Sequence, residues 1–153
     1  MNGVFRYKVL PKLKLILQVY YDVHITKEEV IRNRYVLKKD PKFDATFNQI
    51  VHLHNSELDI YGEETEEFAE HIARYKYIYD YKDAALIVSE KNQALKGVLL
   101  RAKVMEETWL NYHICATLDE AVKRMGYTEE LKTIYDEYDK LMEGVIKENV
   151  VTL

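Results

Sequence analysis

The sequence predicts an α/β fold: a mixed β-sheet opened by an antiparallel hairpin, flanked by helices, with an extra amphipathic helix at the C-terminal end. Three observations carry this reading. Stretches that alternate like strands take turns with stretches of helical periodicity. Thr26-Lys27-Glu28-Glu29 and Thr117-Leu118-Asp119-Glu120 both have the form of a capping box, which marks a helix start. Ala84-Ala85-Leu86-Ile87-Val88 is an unbroken apolar run, the pattern of a strand covered on both faces.

Val4 to Val9 alternates, Pro11-Lys12 supplies a turn, and Leu13 to Tyr21 is rich in residues that suit a pleated surface. At Thr26 the hydroxyl can accept from the N–H of Glu29, while the Glu29 carboxylate can reach back to the N–H of Thr26. Val30, Ile31, Arg34, Tyr35, Leu37 and Lys38 follow at helical spacing. Asp40-Pro41 ends that helix, because a residue before proline is pushed out of the helical region. Phe43 and Phe47 are expected to anchor the next loop on the core.

Gln49 to His54 reads as a third strand. Glu63 to Tyr77 reads as a helix with acids in its first turn, as the helix dipole prefers, and Phe68, Ile72 and Tyr75 on one stripe. After the strand at Ala84–Val88, a helix from Asn92 to Thr108 carries Leu95, Val98, Leu99, Ala102 and Met105. Tyr112 to Cys115 is a short strand, and the helix begun at Thr117 closes at Gly126, a natural left-handed terminus.

From Thr128 a last helix sets Leu131, Ile134, Tyr135, Tyr138, Leu141, Met142 and Val145 on one broad apolar face. Such a face must be buried, on the same sheet or on a second subunit. A homodimer through Leu131, Tyr135, Tyr138 and Met142 is one outcome. The order β-β-α-β-α-β-α-β-α-α implies parallel pairing through right-handed crossovers after the hairpin. No repeat, low-complexity tract or linker divides the chain. One domain is expected over residues 1–153, a core to 126 and a helical extension from 127.

Composition narrows the classes of function. Of 153 residues, 48% are apolar and 31% charged, a globular balance. The net charge of −4 argues against general nucleic-acid binding, which needs a concentrated basic face. One cysteine, Cys115, allows no intrachain disulfide and lies in an apolar run. The N-terminal Met1 to Lys8 lacks a signal-peptide pattern, and no apolar run is long enough to span a bilayer. The expected compartment is the cytoplasm, with no membrane insertion.

The element order, with a capped helix after the second strand and Thr-Leu-Asp-Glu-Ala-Val opening the helix after the last, resembles the STAS domain of anti-sigma-factor antagonists. More narrowly it resembles the stand-alone STAS-like proteins of bacteria. The stretches that carry the likeness are Leu13 to Asp40, Phe43 to Asn55, Ala84 to Val88 and Thr117 to Gly126. With the helices between them they span roughly residues 3 to 126, leaving the final helix outside. Signalling members of that family carry an Asp-Ser pair whose serine is phosphorylated; here Ile60-Tyr61 stands in its place. A phosphate there would also meet Glu63, Glu64, Glu66 and Glu67. No phosphorylation site is expected.

Among candidate sites, His52 and His54 share one face of a strand and could converge on an ion or ligand. A metal site would need a third ligand, for which His24, His71 and His113 qualify by residue type alone; local hydrogen bonding is the alternative. The loop Asn55 to Gly62, with Ser56 and Tyr61, and the turn at Ser89 and Asn92 lie where ligands bind open α/β sheets, outside the carboxyl ends of strands. Ser89 and Asn92 could hold an anion or simply cap the helix. Thirteen tyrosines are present, densest from Tyr75 to Tyr81, either as a sticky surface or as cover for the sheet edge. Cys115 follows His113 on the same face without an elbow glycine, and no catalytic motif stands out.

The expected function is therefore a non-enzymatic regulatory module that docks a protein partner through the Asn55–Gly62 loop and the adjoining helix, without a cofactor or bound metal. The alternative is a binder of an apolar small molecule or lipid. STAS-like relatives of this size imply a cavity between sheet and helices, and Met105, Trp109, Met125 and Met142 could line it. A third reading is a metal-dependent enzyme using His52 and His54.

Overall fold

A computed structural model describes residues 3–151, side chains being described up to residue 145. Met1 and Asn2, at the head of the stretch read for a signal peptide, lie outside the described residues, as do residues 152–153 of the C-terminal extension. The strands are β1 (Val4–Leu10), β2 (Leu15–Tyr21), β3 (His24–Thr26), β4 (Asn48–His54), β5 (Glu57–Asp59), β6 (Asp83–Val88) and β7 (Asn111–Cys115). The helices are α1 (Lys27–Lys38), α2 (Glu63–Arg74), α3 (Lys91–Glu107), α4 (Leu118–Arg124) and α5 (Leu131–Val151).

Five strands form one sheet in the order β1-β2-β4-β6-β7. β1 and β2 are antiparallel; β2, β4, β6 and β7 run parallel to their neighbours. The expected mixed α/β architecture is thus present, hairpin and C-terminal helix included. The hairpin turn is longer than expected: Pro11–Leu13 forms a single 3-10 turn, closed by Lys14 in the left-handed region. A second, two-stranded parallel sheet joins β3 to β5. Its three-residue strands are too short to leave a periodic signal.

Alternation sorts the core onto two faces. On one, Tyr20, Leu53, Ala84, Leu86 and Val88 meet Phe68 and Ile72 of α2 and Leu100 and Val104 of α3. Leu37 of α1 packs nearby with Val9, Ile16 and Phe47. On the other face, Leu15, Leu17, Ile50, Ala85 and Ile87 meet α4 and α5. Each fully buried aliphatic side chain there contributes about 1.5–3 kcal/mol. Ala84 to Val88 is buried throughout, as a central strand must be.

The C-terminal helix closes the chain's own sheet. Ile134 and Val145 are fully buried, and Leu131, Tyr135 and Tyr138 pack on the same cluster. The face expected for a second subunit is therefore used within the fold. Cys115 is buried, as expected.

Both helix starts use threonine caps. The hydroxyl of Thr26 accepts from the N–H of Glu29 at 3.2 Å, and that of Thr117 from the N–H of Glu120 at 3.1 Å. The reciprocal half differs from expectation. The Glu120 carboxylate accepts from the N–H of Ala116 at 2.8 Å, one residue earlier than the box predicts. The Glu29 carboxylate turns instead to Arg32 and Asn33 along its own helix.

The rotation of α3 corrects a second expectation. Its buried residues are Gln93, Gly97, Leu100 and Val104. Gly97 sets this orientation by close approach, since a Cβ there would lie 3.2 Å from Ile114 Cδ1. Leu95, Val98, Leu99 and Met105, grouped as the helix's apolar face by spacing, are exposed.

Candidate functional site

The carboxyl ends of β2, β4 and β6 open into a polar cleft of about 360 Å3, where Asp22, Asn55, Ser56, Glu90, Asn92 and Gln93 meet. Asn55, Ser56 and Asn92, three of the candidates read from the sequence, line this cleft. Ser56, however, is occupied by the fold: its hydroxyl accepts from the N–H of Val23 and lies within donating reach of the Tyr20 and His54 carbonyls. Asn55, at φ +50°, donates to the Asp22 carboxylate. Neither Ser89 nor Asn92 caps α3; Glu90 is its N-cap, without a side-chain hydrogen bond. Three acids, Asp22, Glu57 and Glu90, outnumber Lys96 in the lining, a balance that disfavours an anion there. Gln93 is buried beside it with both amide atoms unpartnered among the described residues.

His52 and His54 do share a face, with ring centroids 5.4 Å apart, but they lie on the α5 side of the sheet, away from this cleft. The Tyr138 hydroxyl bonds His52 Nδ1, and His54 stacks on Tyr21 at 4.9 Å. Burial, then the neighbouring His54, pushes the His52 imidazole down to about 4, so at neutral pH the ring is uncharged and Nδ1 accepts a hydrogen bond from the Tyr138 hydroxyl. Tyr138 is itself pushed up to about 12 by burial and keeps that proton. The other histidines stand apart: His24 pairs with Glu57 and Asp59, His113 with Asp83, and His71 lies tilted against the Tyr75 ring. Among the described residues no group of three or more His, Cys, Asp or Glu is placed to hold a metal ion.

The tyrosine run divides. Tyr77 is exposed, while Tyr79 and Tyr81 turn inward to line a cavity between the sheet and α1, α2 and α3. Its volume is about 70 Å3 and its walls are mainly apolar. Gln18 and Gln49 add amides to it, bonded to each other, and one lining residue is charged. Arg34 of α1 is only 4% exposed. Its Nε donates to the Ile78 carbonyl at 2.7 Å, and its guanidinium carbon lies 5.0, 5.2 and 4.9 Å from the rings of Phe43, Tyr79 and Tyr81. Both Nη atoms, and the Tyr79 hydroxyl, find no hydrogen-bond partner among the described residues. Burial pushes the guanidinium down and the Tyr79 phenol up. Sequence reasoning counted Arg34 only as a member of a helical face. An arginine at the inward spacing between Ile31 and Leu37 was the available signal.

The outer face of α3 is the other feature that spacing misread. Leu95, Val98, Leu99 and Met105 are 62, 48, 54 and 38% exposed, and with the exposed Ala102 between Leu99 and Met105 they form a stripe along the helix. Lys91, Lys96 and Arg101 border it, while Lys103 is paired with Glu66, Glu106 and Glu107. Tyr61 joins the margin, its ring 5.3 Å from the ammonium of Lys96.

Comparison with protein-family models, with curated proteins and with solved structures finds no match. Among the described residues no helix is long and apolar enough to cross a membrane.

Proposed function

We propose that this chain is a non-enzymatic regulatory module of STAS-like architecture that acts in the cytoplasm by docking a protein partner on α3. The observation that carries the reading is the exposed apolar stripe of Leu95, Val98, Leu99 and Met105. Monomers rarely leave such a face to water without a use for it. Its basic border, in a chain of net charge −4, favours a partner that presents apolar side chains at helical spacing beside acidic residues. This moves the docking surface from the Asn55–Gly62 loop, whose Asn55 and Ser56 serve the fold, to the neighbouring helix; Tyr61 remains at its edge.

Photo-crosslinking tests this. A photoreactive residue at Leu99, in native extract, is expected to give a discrete protein adduct that weakens as salt rises; one at Lys132 on α5 should give none. Equal labelling from both positions, or retention on anionic vesicles in place of a protein adduct, contradicts the reading.

A second reading, the binder of an apolar small molecule, is supported by the cavity beneath α1. It does not compete for the same surface.

A further inference from the structure

Arg34 presents an unusual combination: a buried guanidinium whose two Nη groups have no hydrogen-bond partner among the described residues, set in the wall of an apolar cavity. Three aromatic rings around it offer cation–π attraction, which offsets part of the charge and leaves the N–H donors unmet. Burying a charge without a counter-ion is among the more destabilising arrangements a core can hold. Water could meet the donors but would leave the charge.

We propose that the cavity binds a compact monocarboxylate, its carboxylate on Arg34 and its apolar body against the sheet; this rests on the small-molecule reading above. The two Nη groups offer a planar pair of donors that matches the two oxygens of a carboxylate. The Tyr79 hydroxyl, buried and unpartnered in the same lining, supplies a third donor. Arg34 is the only cationic residue in that lining, so one negative charge is balanced and a phosphate dianion is not. Leu53, Leu58, Ile60, Phe68 and Leu86 give the remaining wall its apolar character. A volume of about 70 Å3 limits the ligand. It is roughly half that of an apolar cavity that takes the six carbons of benzene, which points to a ligand of about three or four heavy atoms, carboxylate included.

The test uses the full chain at pH 7 with acetate and its neutral counterpart acetamide, followed by calorimetry and by the 15N-detected guanidinium signals of Arg34. Acetate is expected to bind about tenfold or more tightly than acetamide and to shift the Arg34 signals. Arg34→Met should abolish that preference, and Tyr79→Phe should weaken acetate while leaving the amide unchanged. The wild-type comparison and Tyr79→Phe decide the matter even if Arg34→Met does not fold. Equal affinity for acid and amide, or acetate binding that Arg34→Met leaves intact, overturns the carboxylate assignment while the small-molecule reading stands. Binding of neither compound overturns both.

Discussion

His52 is held neutral by its surroundings, and that makes the fold sensitive to acid. Burial lowers its imidazole from the ordinary 6.5 to about 4, so between these values the unfolded chain takes up a proton that the folded chain refuses. Stability present at neutral pH should therefore fall as pH drops below 6.5 and level off below about 4. After allowance for solvent screening the loss is about 1–2 kcal/mol. Urea unfolding of wild type and His52→Gln at pH 7 and pH 4.5 checks it: the wild type should lose more than the variant by about that amount. His71, also pushed down by burial, is common to both proteins and cancels in the comparison. The pairing of His52 and His54 was legible from the two-residue repeat of a strand. The partner Tyr138 lies 86 positions away and depends on where α5 crosses the sheet, so no local pattern could reveal it. Arg34 was hidden for a different reason. Arginine on a helix is ordinarily solvated, and only the tertiary arrangement of Phe43, Tyr79 and Tyr81 shows that this one is enclosed.

At the scale of elements, the threonine caps were readable because their logic is local. Thr117→Ala removes the bond to the Glu120 N–H and should lower unfolding stability by about 1 kcal/mol, as measured by urea titration. The paired strands β3 and β5 were not readable, since three residues cannot display alternation. α3 shows how periodicity fails. Apolar residues occur on both sides of this helix, Leu95 and Leu99 on one and Leu100 and Val104 on the other, so spacing alone does not choose the inward face. The sheet receives Gly97, whose missing side chain allows the closest approach to Ile114. It follows that Leu95→Lys combined with Leu99→Lys should leave unfolding stability within about 0.5 kcal/mol, since neither side chain is buried. With the photoreactive residue placed at Val98 instead, the same pair should remove the protein adduct formed through α3.

For the whole molecule, the division of the sheet's two faces decides what remains for function. One face is closed by α4 and α5, which consume the apolar stripe of the final helix; the other is closed by α1, α2 and α3 around the cavity that holds Arg34. Alternating strands and helices made this layered plan legible, because parallel neighbours require crossovers and buried strands require cover. What the plan does not dictate is the rotation of each covering helix, and the proposed docking surface depends on one such rotation. Two adjacent leucines test it most directly. Leu100 is 2% exposed and Leu99 is 54% exposed. By urea unfolding, Leu100→Ala should lower stability by about 2–5 kcal/mol and Leu99→Ala by no more than about 0.5 kcal/mol. Equal losses, or a larger loss at Leu99, would mean that α3 faces the other way and that its outer stripe is core.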